Sequence, residues 1–453
     1  MFQNKKILIL GAARSGIACC KVLANLNNKI VLNDLKDEKD IKKEDIEELK
    51  KLNVTCCFGS HPDDLLDDSF DFLVKNPGIR NDHKYVKLAS ELGIPVINEV
   101  EVGYHLLPKN INLIAITGTN GKTTTTTLTY EILKEAYQDK VHLAGNIGYP
   151  LCGILKDLKE GDILVMEVSC QQLANLHEFK PHIALLTNLS EAHIDFFGDY
   201  ETYKKVKVKL FKNQNGSDVA ILNQDNLDSL ESTKNIKSKK VYFSLKEKAD
   251  ATYYDNKLYY RDEFIIDRSD LLIKGDHNVA NSLGAILIAK ELNVETKIIQ
   301  KVLKRFSGVG HRLELVADIA KRKFYNDTEA TNIKCTQIAL SSFSNPIILF
   351  LGGLDRGQDF YELKPFMQNV KAIIAIGECR LRVKEFGDSL KIPTYVYEHL
   401  KDGFKKAWEI SLKEDIILLS PASASWDQYK ECEDRGDEFK KLVEELKDGS
   451  IKK

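Results

Sequence analysis

The chain reads Ile114-Ala115-Ile116-Thr117-Gly118-Thr119-Asn120-Gly121-Lys122-Thr123 at the point that decides its fold. An apolar run typical of a buried strand passes through two glycines into a helical pattern. Glycines let a backbone wrap around a phosphate, and the amides at a helix N-terminus carry partial positive charge. We therefore predict a nucleotide-phosphate loop, formed by Gly118, Thr119, Asn120, Gly121, Lys122, Thr123 and Thr124.

Two side chains of this loop would carry its chemistry. Lys122 can reach the terminal phosphates of a nucleotide, and the Thr123 hydroxyl can ligate Mg²⁺. A full Walker loop has glycine where this chain has Ile116, so the loop is a tighter variant. The alternative is a plain glycine turn before a helix, which gives no packing reason for a lysine followed by a threonine.

Short apolar runs recur along the chain, and most are followed by a helical pattern. Such alternation predicts an α/β fold with mostly parallel, buried strands. The predicted strands are Ile7–Leu10, Ile30–Asn33, Phe72–Val74, Pro95–Ile97, Ile111–Thr117, Ile163–Glu167, Ile183–Asn188, Leu313–Asp318, Phe324–Asp327, Ile347–Gly352, Ala372–Gly377, Thr394–Tyr397 and Ile416–Ser420.

The stretch 240–273 breaks this rhythm and predicts a local insertion of short antiparallel strands at Tyr253-Tyr254, Leu258–Tyr260 and Phe264–Ile266. We expect one domain boundary near Gly103 and a second in the glycine-rich segment Phe306–Gly310. Three domains follow, covering residues 1–103, 104–309 and 310–453.

The composition excludes several classes of protein. The 453 residues carry a formal net charge of −2, which gives no bulk attraction to nucleic acid or to anionic lipid. The nine cysteines form no Cys-x-x-Cys pair, which favours reduced thiols over disulfides or a zinc site. The N-terminal apolar run Ile7–Leu10 is too short for a signal peptide or a membrane helix. We expect a cytoplasmic protein without a membrane anchor.

Three further positions are candidates for metal or acid–base chemistry. Glu167 ends a predicted strand, at the edge where α/β sheets bind ligands, and its oxygens suit Mg²⁺. His193 lies on the loop after the next strand and could be a ligand. A glutamate at a strand end is, however, more often a solvated or capping residue, and a loop histidine more often has no ligand role. The helix predicted over Tyr203–Phe211 is rich in lysine, including Lys207, and its composition alone indicates a solvated face.

Taken together, these motifs resemble the Mur ligase family. The resemblance covers nearly the whole chain, in order and in spacing. It rests on the phosphate loop, Gly145-Asn146-Ile147-Gly148, Glu167-Val168-Ser169, Thr187-Asn188-Leu189-Ser190-Glu191-Ala192-His193, Tyr203 with Lys207, Gly275-Asp276-His277-Asn278-Val279-Ala280-Asn281 and His311-Arg312.

The C-terminal third most resembles the family members that join D-glutamate to UDP-N-acetylmuramoyl-L-alanine. It contains Asn326-Asp327 followed by Ala330-Thr331-Asn332, then Gly352-Gly353-Leu354-Asp355-Arg356-Gly357, and Ser420-Pro421 leading to Ser425. The Asp-Asn-Pro-Arg signature of the diaminopimelate- and lysine-adding members is absent. The resemblance implies a Rossmann-like N-terminal domain, a central P-loop ATPase-like domain and a Rossmann-like C-terminal domain.

The resemblance also implies a function in peptidoglycan precursor synthesis and a role for each of several residues. The catalytic set would be Lys122, Glu167, His193 and Lys207. ATP would be bound by the phosphate loop together with Asn278, Asn281, Arg312 and Asp327. The UDP substrate would be bound by Arg14, Ser15, Asp34, Asn76, Gly78, Asn146 and His193. D-glutamate would be bound by Thr331, Arg356 and Ser425.

The expected cofactors are ATP and two Mg²⁺ ions, held by Thr123, Glu167, His193 and Lys207. A lysine ammonium cannot ligate a cation, so the family resemblance implies a carbamylated Lys207. The expected reaction passes through an acyl phosphate, which D-glutamate then attacks. We expect no nucleic-acid partner, no membrane insertion and a monomeric chain.

Two positions depart from the family pattern. Glu329 replaces a lysine, and Cys432 stands where an aromatic residue is usual. Glu329 either turns outward to solvent or weakens binding of nucleotide or acceptor. Two alternatives stay open. One is another Mur-type ligase, either L-alanine-adding or similar to folylpolyglutamate synthetase. The other, which Glu329 and Cys432 motivate, is a nucleotide-binding relative that no longer ligates.

Overall fold

The computed structural model describes residues 1–449, and the first of its three sheets lies in the N-terminal part. This sheet has five strands in the order β3-β2-β1-β4-β5, all parallel. Its central strand is apolar and buried, as a parallel strand covered on both faces must be. The elements are β1 (Lys6–Leu10), α1 (Arg14–Ala24), β2 (Lys29–Asp34), α2 (Lys43–Lys51), β3 (Thr55–Phe58), β4 (Phe72–Lys75), α3 (Lys84–Glu91), β5 (Val96–Ile97) and α4 (Glu99–His105).

The second sheet has nine strands, in the order β14-β13-β12-β11-β10-β9-β6-β8-β7. The phosphate loop follows β6, whose neighbours are β8 and β9. The elements are β6 (Asn112–Thr117), α5 (Lys122–Tyr137), β7 (Val141–Gly145), α6 (Leu151–Ile154), β8 (Ile163–Glu167), α7 (Cys170–Ala174), β9 (Ile183–Leu186), α8 (Ile194–Phe197), α9 (Tyr200–Val208), β10 (Val219–Asn223), α10 (Leu227–Ser232), β11 (Lys239–Ser244), β12 (Ala251–Tyr254), β13 (Lys257–Tyr260), β14 (Glu263–Asp267), α11 (Asp276–Glu291) and α12 (Thr296–Arg305).

The third sheet has six strands, in the order β15-β16-β20-β17-β18-β19. Its first edge strand, β15, is antiparallel to β16, and the other pairs are parallel. The elements are β15 (Glu314–Ile319), β16 (Arg322–Asn326), α13 (Ile333–Ser341), β17 (Ile347–Gly352), β18 (Val370–Ile376), α14 (Arg380–Ser389), β19 (Thr394–Val396), α15 (Leu400–Ile410), β20 (Ile416–Leu419) and α16 (Cys432–Lys447).

The predicted α/β class with mostly parallel sheets is confirmed. β8 and β17 have the predicted bounds, and the other predicted strands are present with shifted ends. The antiparallel strands β12, β13 and β14 of the predicted local insertion are also present. β12 pairs parallel with β11, so β12, β13 and β14 extend one edge of the nine-stranded sheet. The sequence reading missed β3, β7, β10 and β11.

Packing divides the described chain into two units. One contains residues 1–271 and 276–305, and the other contains residues 272–275 and those from 306 onward. The three-domain division at Gly103 and at Phe306–Gly310 stays a prediction. Within residues 1–449, no helix is both long enough and apolar enough to cross a lipid bilayer.

Candidate active site

The phosphate loop joins β6 to α5 and has the backbone shape that the two glycines predict. Gly118 has a backbone φ of +150° and Gly121 a φ of +80°. Residues other than glycine rarely adopt such positive φ angles. A side chain on Gly121 would also overlap the amide of Asn281. Asn281 in turn donates to the Asn278 side chain over 3.1 Å. The structure therefore brings both α11 asparagines to the phosphate loop, as the family resemblance implies.

Thr187 and Asn188, which follow β9, hold the phosphate loop through hydrogen bonds. The Thr187 hydroxyl donates to the Asn120 carbonyl over 2.6 Å, and the Asn188 amide donates to the same oxygen over 3.0 Å. The Asn120 N–H donates to the Asn188 side-chain oxygen over 3.1 Å. The Lys122 ammonium donates to the Thr119 carbonyl over 3.0 Å. The loop is thus held in shape by its neighbours, which preorganises its amides for phosphate.

Glu167 ends β8 and is almost fully buried beside the loop. Its Oε1 accepts a 2.7 Å hydrogen bond from the Asn146 amide. Its Oε2 is buried and has no hydrogen-bond partner among the residues that the structure describes. A buried carboxylate oxygen without a partner is costly, and such atoms in native proteins are commonly explained by a ligand or ion. Glu167 therefore fits a cation-binding role.

The prediction that the lysine-rich helix presents a solvated face is wrong for Lys207. It is 1% exposed on α9, and its ammonium donates to the Thr117 hydroxyl over 3.0 Å and to the Gly118 carbonyl over 2.8 Å. Burial, reinforced by the charge of Lys122, lowers the pKa of Lys207 to about 7. A substantial fraction of this amine is therefore neutral near neutral pH.

His193 completes the group at this edge of the sheet. Its backbone is left-handed, with φ 54°, at the start of α8. Its Nδ1 lies 3.5 Å from the Gln171 amide nitrogen, and its ring centroid lies 6.2 Å from that of Tyr203. Burial and then the charges of Lys207 and Lys122 lower the pKa of His193. The lowered pKa favours the neutral imidazole, which is the form that binds metals.

A cavity of about 530 Å³ lies beside this group. Five of the residues expected at the UDP substrate line it, namely Arg14, Ser15, Asn76, Gly78 and Asn146. The Asn76 amide donates to the Ser15 hydroxyl over 3.1 Å, and its carbonyl oxygen accepts from the Gly78 N–H over 3.0 Å. The Arg14 guanidinium donates to the Gly148 carbonyl.

Two residues expected at the UDP substrate are not among those lining this cavity, within the part of the chain that the structure describes. They are Asp34 and His193. Asp34 accepts a 2.6 Å hydrogen bond from the Ala12 N–H, so it fixes the turn after β1. Ala12 and Lys36 line a neighbouring cavity of about 740 Å³.

The sequence reading missed Glu99 in the same cavity. Glu99 is buried, accepts a 2.6 Å hydrogen bond from the Cys152 N–H, and lines the cavity wall. Burial raises its pKa to about 7. No short motif marks Glu99, which is the first residue of α4, and its place in the fold brings it to the cavity.

In the C-terminal unit, Arg312 and Asp327 lie near the departure at Glu329. The Arg312 guanidinium lies 3.4 Å from the Glu329 carboxylate, which also accepts from the Cys432 thiol over 3.4 Å. Glu329 therefore does not simply point to solvent. Asp327 is buried and accepts from the Ser420 hydroxyl over 2.7 Å. Burial raises the pKa of Asp327 to about 7.

A cavity of about 480 Å³ in the same unit contains Thr331 and Arg356, two of the three residues expected at D-glutamate. The Arg356 guanidinium lies 4.5 Å from the Trp426 ring centroid, a cation–π distance. The third residue, Ser425, follows the cavity-lining Ala424. Its hydroxyl is buried and has no hydrogen-bond partner within residues 1–449.

Comparison with known proteins agrees with this geometry. The Mur ligase middle domain matches residues 116–289, and the N-terminal domain described as Mur ligase, MurD-like matches residues 5–98. Among solved structures, UDP-N-acetylmuramate-alanine ligase MurC from Thermotoga maritima aligns with a TM-score of 0.59 at 18% identity, over 98% of this chain and all of that one. MurF ligase from Thermotoga maritima, in complex with ADP, also aligns at 0.59, with 17% identity over 92% of this chain and 96% of that one. The fold and the phosphate loop together define an ATP-dependent ligase of the Mur type.

Two relatives of known name narrow this class. The UDP-N-acetylmuramoylalanine–D-glutamate ligase of Geobacillus kaustophilus (strain HTA426) is 42% identical over 98% of this chain and 99% of its own length. That of Bacillus cereus (strain G9842) is 41% identical over 98% of each chain. The chain therefore belongs to the UDP-N-acetylmuramoylalanine–D-glutamate ligase family.

Proposed function

We propose that this chain uses ATP to join D-glutamate to UDP-N-acetylmuramoyl-L-alanine in peptidoglycan precursor synthesis. The observation that carries the proposal is the convergence of Glu167, His193 and Lys207 on the phosphate loop. These residues suit the activation of a carboxylate as an acyl phosphate. The relatives of the same family, aligned over nearly the whole chain, support D-glutamate as the amine.

We propose that the side chains beside the loop hold two Mg²⁺ ions. Thr123 and Glu167 would hold one, and His193 and Lys207 the other. Glu167 Oε2, which has no hydrogen-bond partner within residues 1–449, supports this fit, and so does the lowered pKa of His193, because each side chain then has a lone pair available for a cation. Bound Mg²⁺ would neutralise charge on the transferring phosphoryl group.

Lys207 would serve as a ligand after carbamylation. The neutral amine attacks the carbon of CO₂, loses a proton to solvent and becomes an anionic carbamate with oxygen donors. Two observations support this step: the side chain is buried against the loop, and its pKa is lowered to about 7. An unmodified ammonium there would repel a cation and the neighbouring Lys122.

The first chemical step would be phosphoryl transfer in the central domain. A carboxylate oxygen of UDP-N-acetylmuramoyl-L-alanine attacks the γ-phosphorus of ATP, the bond to the β,γ-bridging oxygen breaks, and ADP leaves. Lys122 and the loop amides stabilise the negative charge of the phosphates. We propose that Asn278 and Asn281, which lie at the loop, help to hold ATP, and that Arg312 and Asp327 contribute from the C-terminal unit.

The second step would form the amide. The D-glutamate amine attacks the acyl carbon, the carbon–oxygen bond to phosphate breaks, and the amine loses a proton. We propose that Thr331, Arg356 and Ser425 hold the acceptor. The cavity at Arg356 supports this assignment, and so does the buried Ser425 hydroxyl, which has no hydrogen-bond partner among the described residues, because both suit a carboxylate.

We propose that the UDP substrate lies along the cavity of Arg14, Ser15, Asn76, Gly78 and Asn146, which extends from the N-terminal sheet to the loop after β7. In this proposal Asp34 acts by fixing the turn after β1. Residues 1–103 would bind the UDP substrate, 104–309 ATP and 310–453 the amino acid. We further propose that the chain acts as a monomer.

An amino-acid panel tests the proposal. Purified protein is given UDP-N-acetylmuramoyl-L-alanine, ATP and Mg²⁺, and phosphate release is measured with D-glutamate, L-glutamate, L-alanine, L-lysine and diaminopimelate. We expect release and a new UDP-dipeptide, seen by mass spectrometry, with D-glutamate alone. Preference for another amino acid would point to a different family member. ATP binding without release on any amino acid would indicate a non-ligating relative.

A further inference from the structure

The acceptor cavity contains a second cation, Lys334, that the family resemblance does not assign. Lys334 and Arg356 both line the cavity of about 480 Å³. Lys334 is solvent-exposed on the first turn of α13, whereas Arg356 lies on the loop after β17. The two cations therefore come from different elements, 22 positions apart in sequence, and meet at one cavity.

Neither cation is engaged by an acidic side chain among residues 1–449. Within the part of the chain that the structure describes, Lys334 and Arg356 form no ion pair. By contrast, the nearby Arg382 contacts Asp355 over 2.5 Å. Arg356 is held instead by the Trp426 ring, which leaves its N–H groups for another acceptor.

The wall that carries Lys334 also favours an anion. Thr331, Asn332 and Ile333 line the cavity at the N-terminus of the nine-residue helix α13. The Asn332 side chain caps only the Cys335 N–H, over 3.1 Å. The earlier amides of a first helical turn have no partner inside the helix, and the helix dipole adds partial positive charge there.

Two acidic residues, Asp359 and Glu362, also line the cavity. Asp359 is engaged by the Tyr361 N–H over 2.9 Å, where it caps a 3-10 helix, and Glu362 is exposed. Neither carboxylate neutralises Lys334 or Arg356 through a direct ion pair.

We propose that Lys334 is a specificity-determining residue that binds one carboxylate of D-glutamate while Arg356 binds the other. Two separate cations match a dicarboxylate better than a monocarboxylic amino acid. The inference rests on the proposed function, because it takes D-glutamate as the acceptor. It adds a contact that would select a second carboxylate.

The test compares Lys334→Gln with the conservative Lys334→Arg and with Lys413→Gln, an exposed lysine that does not line the cavity. We expect Lys334→Gln to raise the KM for D-glutamate about tenfold, as loss of one charge-assisted contact does, with kcat and the KM for ATP nearly unchanged. Lys334→Arg should recover most of this loss. A KM change below twofold for Lys334→Gln would overturn the inference.

Two monoamides of the acceptor make the test specific for a carboxylate. D-glutamine lacks the γ-carboxylate, and D-isoglutamine lacks the α-carboxylate. The penalty of Lys334→Gln should fall to less than twofold with one of them and persist with the other. An equal penalty with both would mean that Lys334 acts on structure rather than on a carboxylate.

A binding measurement separates failure of this inference from failure of the proposed function. Trp426 stacks on Arg356, so D-glutamate titrated into the full chain should change its fluorescence, with Trp426→Phe as the blank. We expect Lys334→Gln to raise the apparent Kd about tenfold, a measurement that needs no turnover. Absence of ligation with wild-type protein would defeat the proposed function, whereas an unchanged Kd in Lys334→Gln would defeat the role of Lys334.

Discussion

Glu99→Gln should make the N-terminal unit more stable at alkaline pH. Glu99 is buried beside the UDP-substrate cavity, and burial raises its pKa to about 7 from the ordinary value of 4.5 for a glutamate. Glutamine has nearly the same shape and keeps an oxygen that can accept from the Cys152 N–H, which lies 2.6 Å from Glu99 Oε1. The substitution therefore removes the charge and little else.

The sign follows from proton binding. Between pH 4.5 and pH 7 the folded protein holds a proton on Glu99 that the unfolded chain has released, so stability falls as the pH rises through this window. The full loss corresponds to roughly 2.5 pKa units, or about 3 kcal/mol. Most of it, on the order of 2.5 kcal/mol, accrues between about pH 5 and pH 8. Glutamine has no proton to lose and escapes this penalty.

The assay is thermal unfolding of ligand-free wild type and Glu99→Gln, each at pH 5 and at pH 8. For a unit of this size, a change of 1 kcal/mol shifts Tm by about 2 °C, so the variant should gain roughly 5 °C on wild type between the two pH values. Glu91→Gln, at an exposed position on α3, is the matched control and should gain nothing. An equal pH dependence in wild type and Glu99→Gln would refute the reasoning.

Three further predictions concern the active site. Lys207→Ala should lower kcat for phosphate release at least a hundredfold, with partial rescue by added acetate or formate. Lys205→Ala, at an exposed position, should change kcat little. Equal effects of the two substitutions would show that Lys207 is not part of the site. Glu167→Gln should raise the Mg²⁺ concentration for half-maximal activity about tenfold, because it removes one anionic oxygen donor; an unchanged Mg²⁺ titration would contradict this. Trp426→Ala should raise the KM for D-glutamate about threefold at constant kcat, because the ring orients Arg356; steady-state kinetics at varied D-glutamate decide, and an unchanged KM would show that the stacking is incidental.

The two strands predicted with correct bounds, β8 and β17, are among those with uninterrupted apolar runs. β8 and β17 are buried throughout, so every residue contributes to the signal. β3 was missed because its residues are half-buried or exposed and two of them are cysteines. β7 was missed because histidine and glycine interrupt its apolar pattern. β3 and β7 are edge strands of their sheets, whereas β10 is an interior strand with the buried apolar run Val219–Leu222, so its omission has no such physical cause.

The phosphate loop was predictable because its chemistry is local: glycines, lysine and threonine act within a few positions of one another. The environment of Lys207 was not. Its contacts, Thr117 and Gly118, lie 90 and 89 positions away in sequence. The composition of its helix indicated solvent exposure, whereas in the structure Lys207 is buried and contacts the end of β6 and the phosphate loop. Glu99 and Lys334 were missed for the same reason, since each acquires its setting from distant elements.

The strand order explains why these distant groups meet. β6 lies between β8 and β9, and all three run parallel, so their carboxyl ends share one edge of the sheet. The register pairs Ile116 with Glu167, which sets the carboxylate level with the start of the phosphate loop. His193 follows the neighbouring strand β9 by a short loop. A one-residue register slip between β6 and β8 would turn Glu167 to the opposite face of the sheet, so the chemistry of the site depends on strand pairing as much as on the residues that perform it.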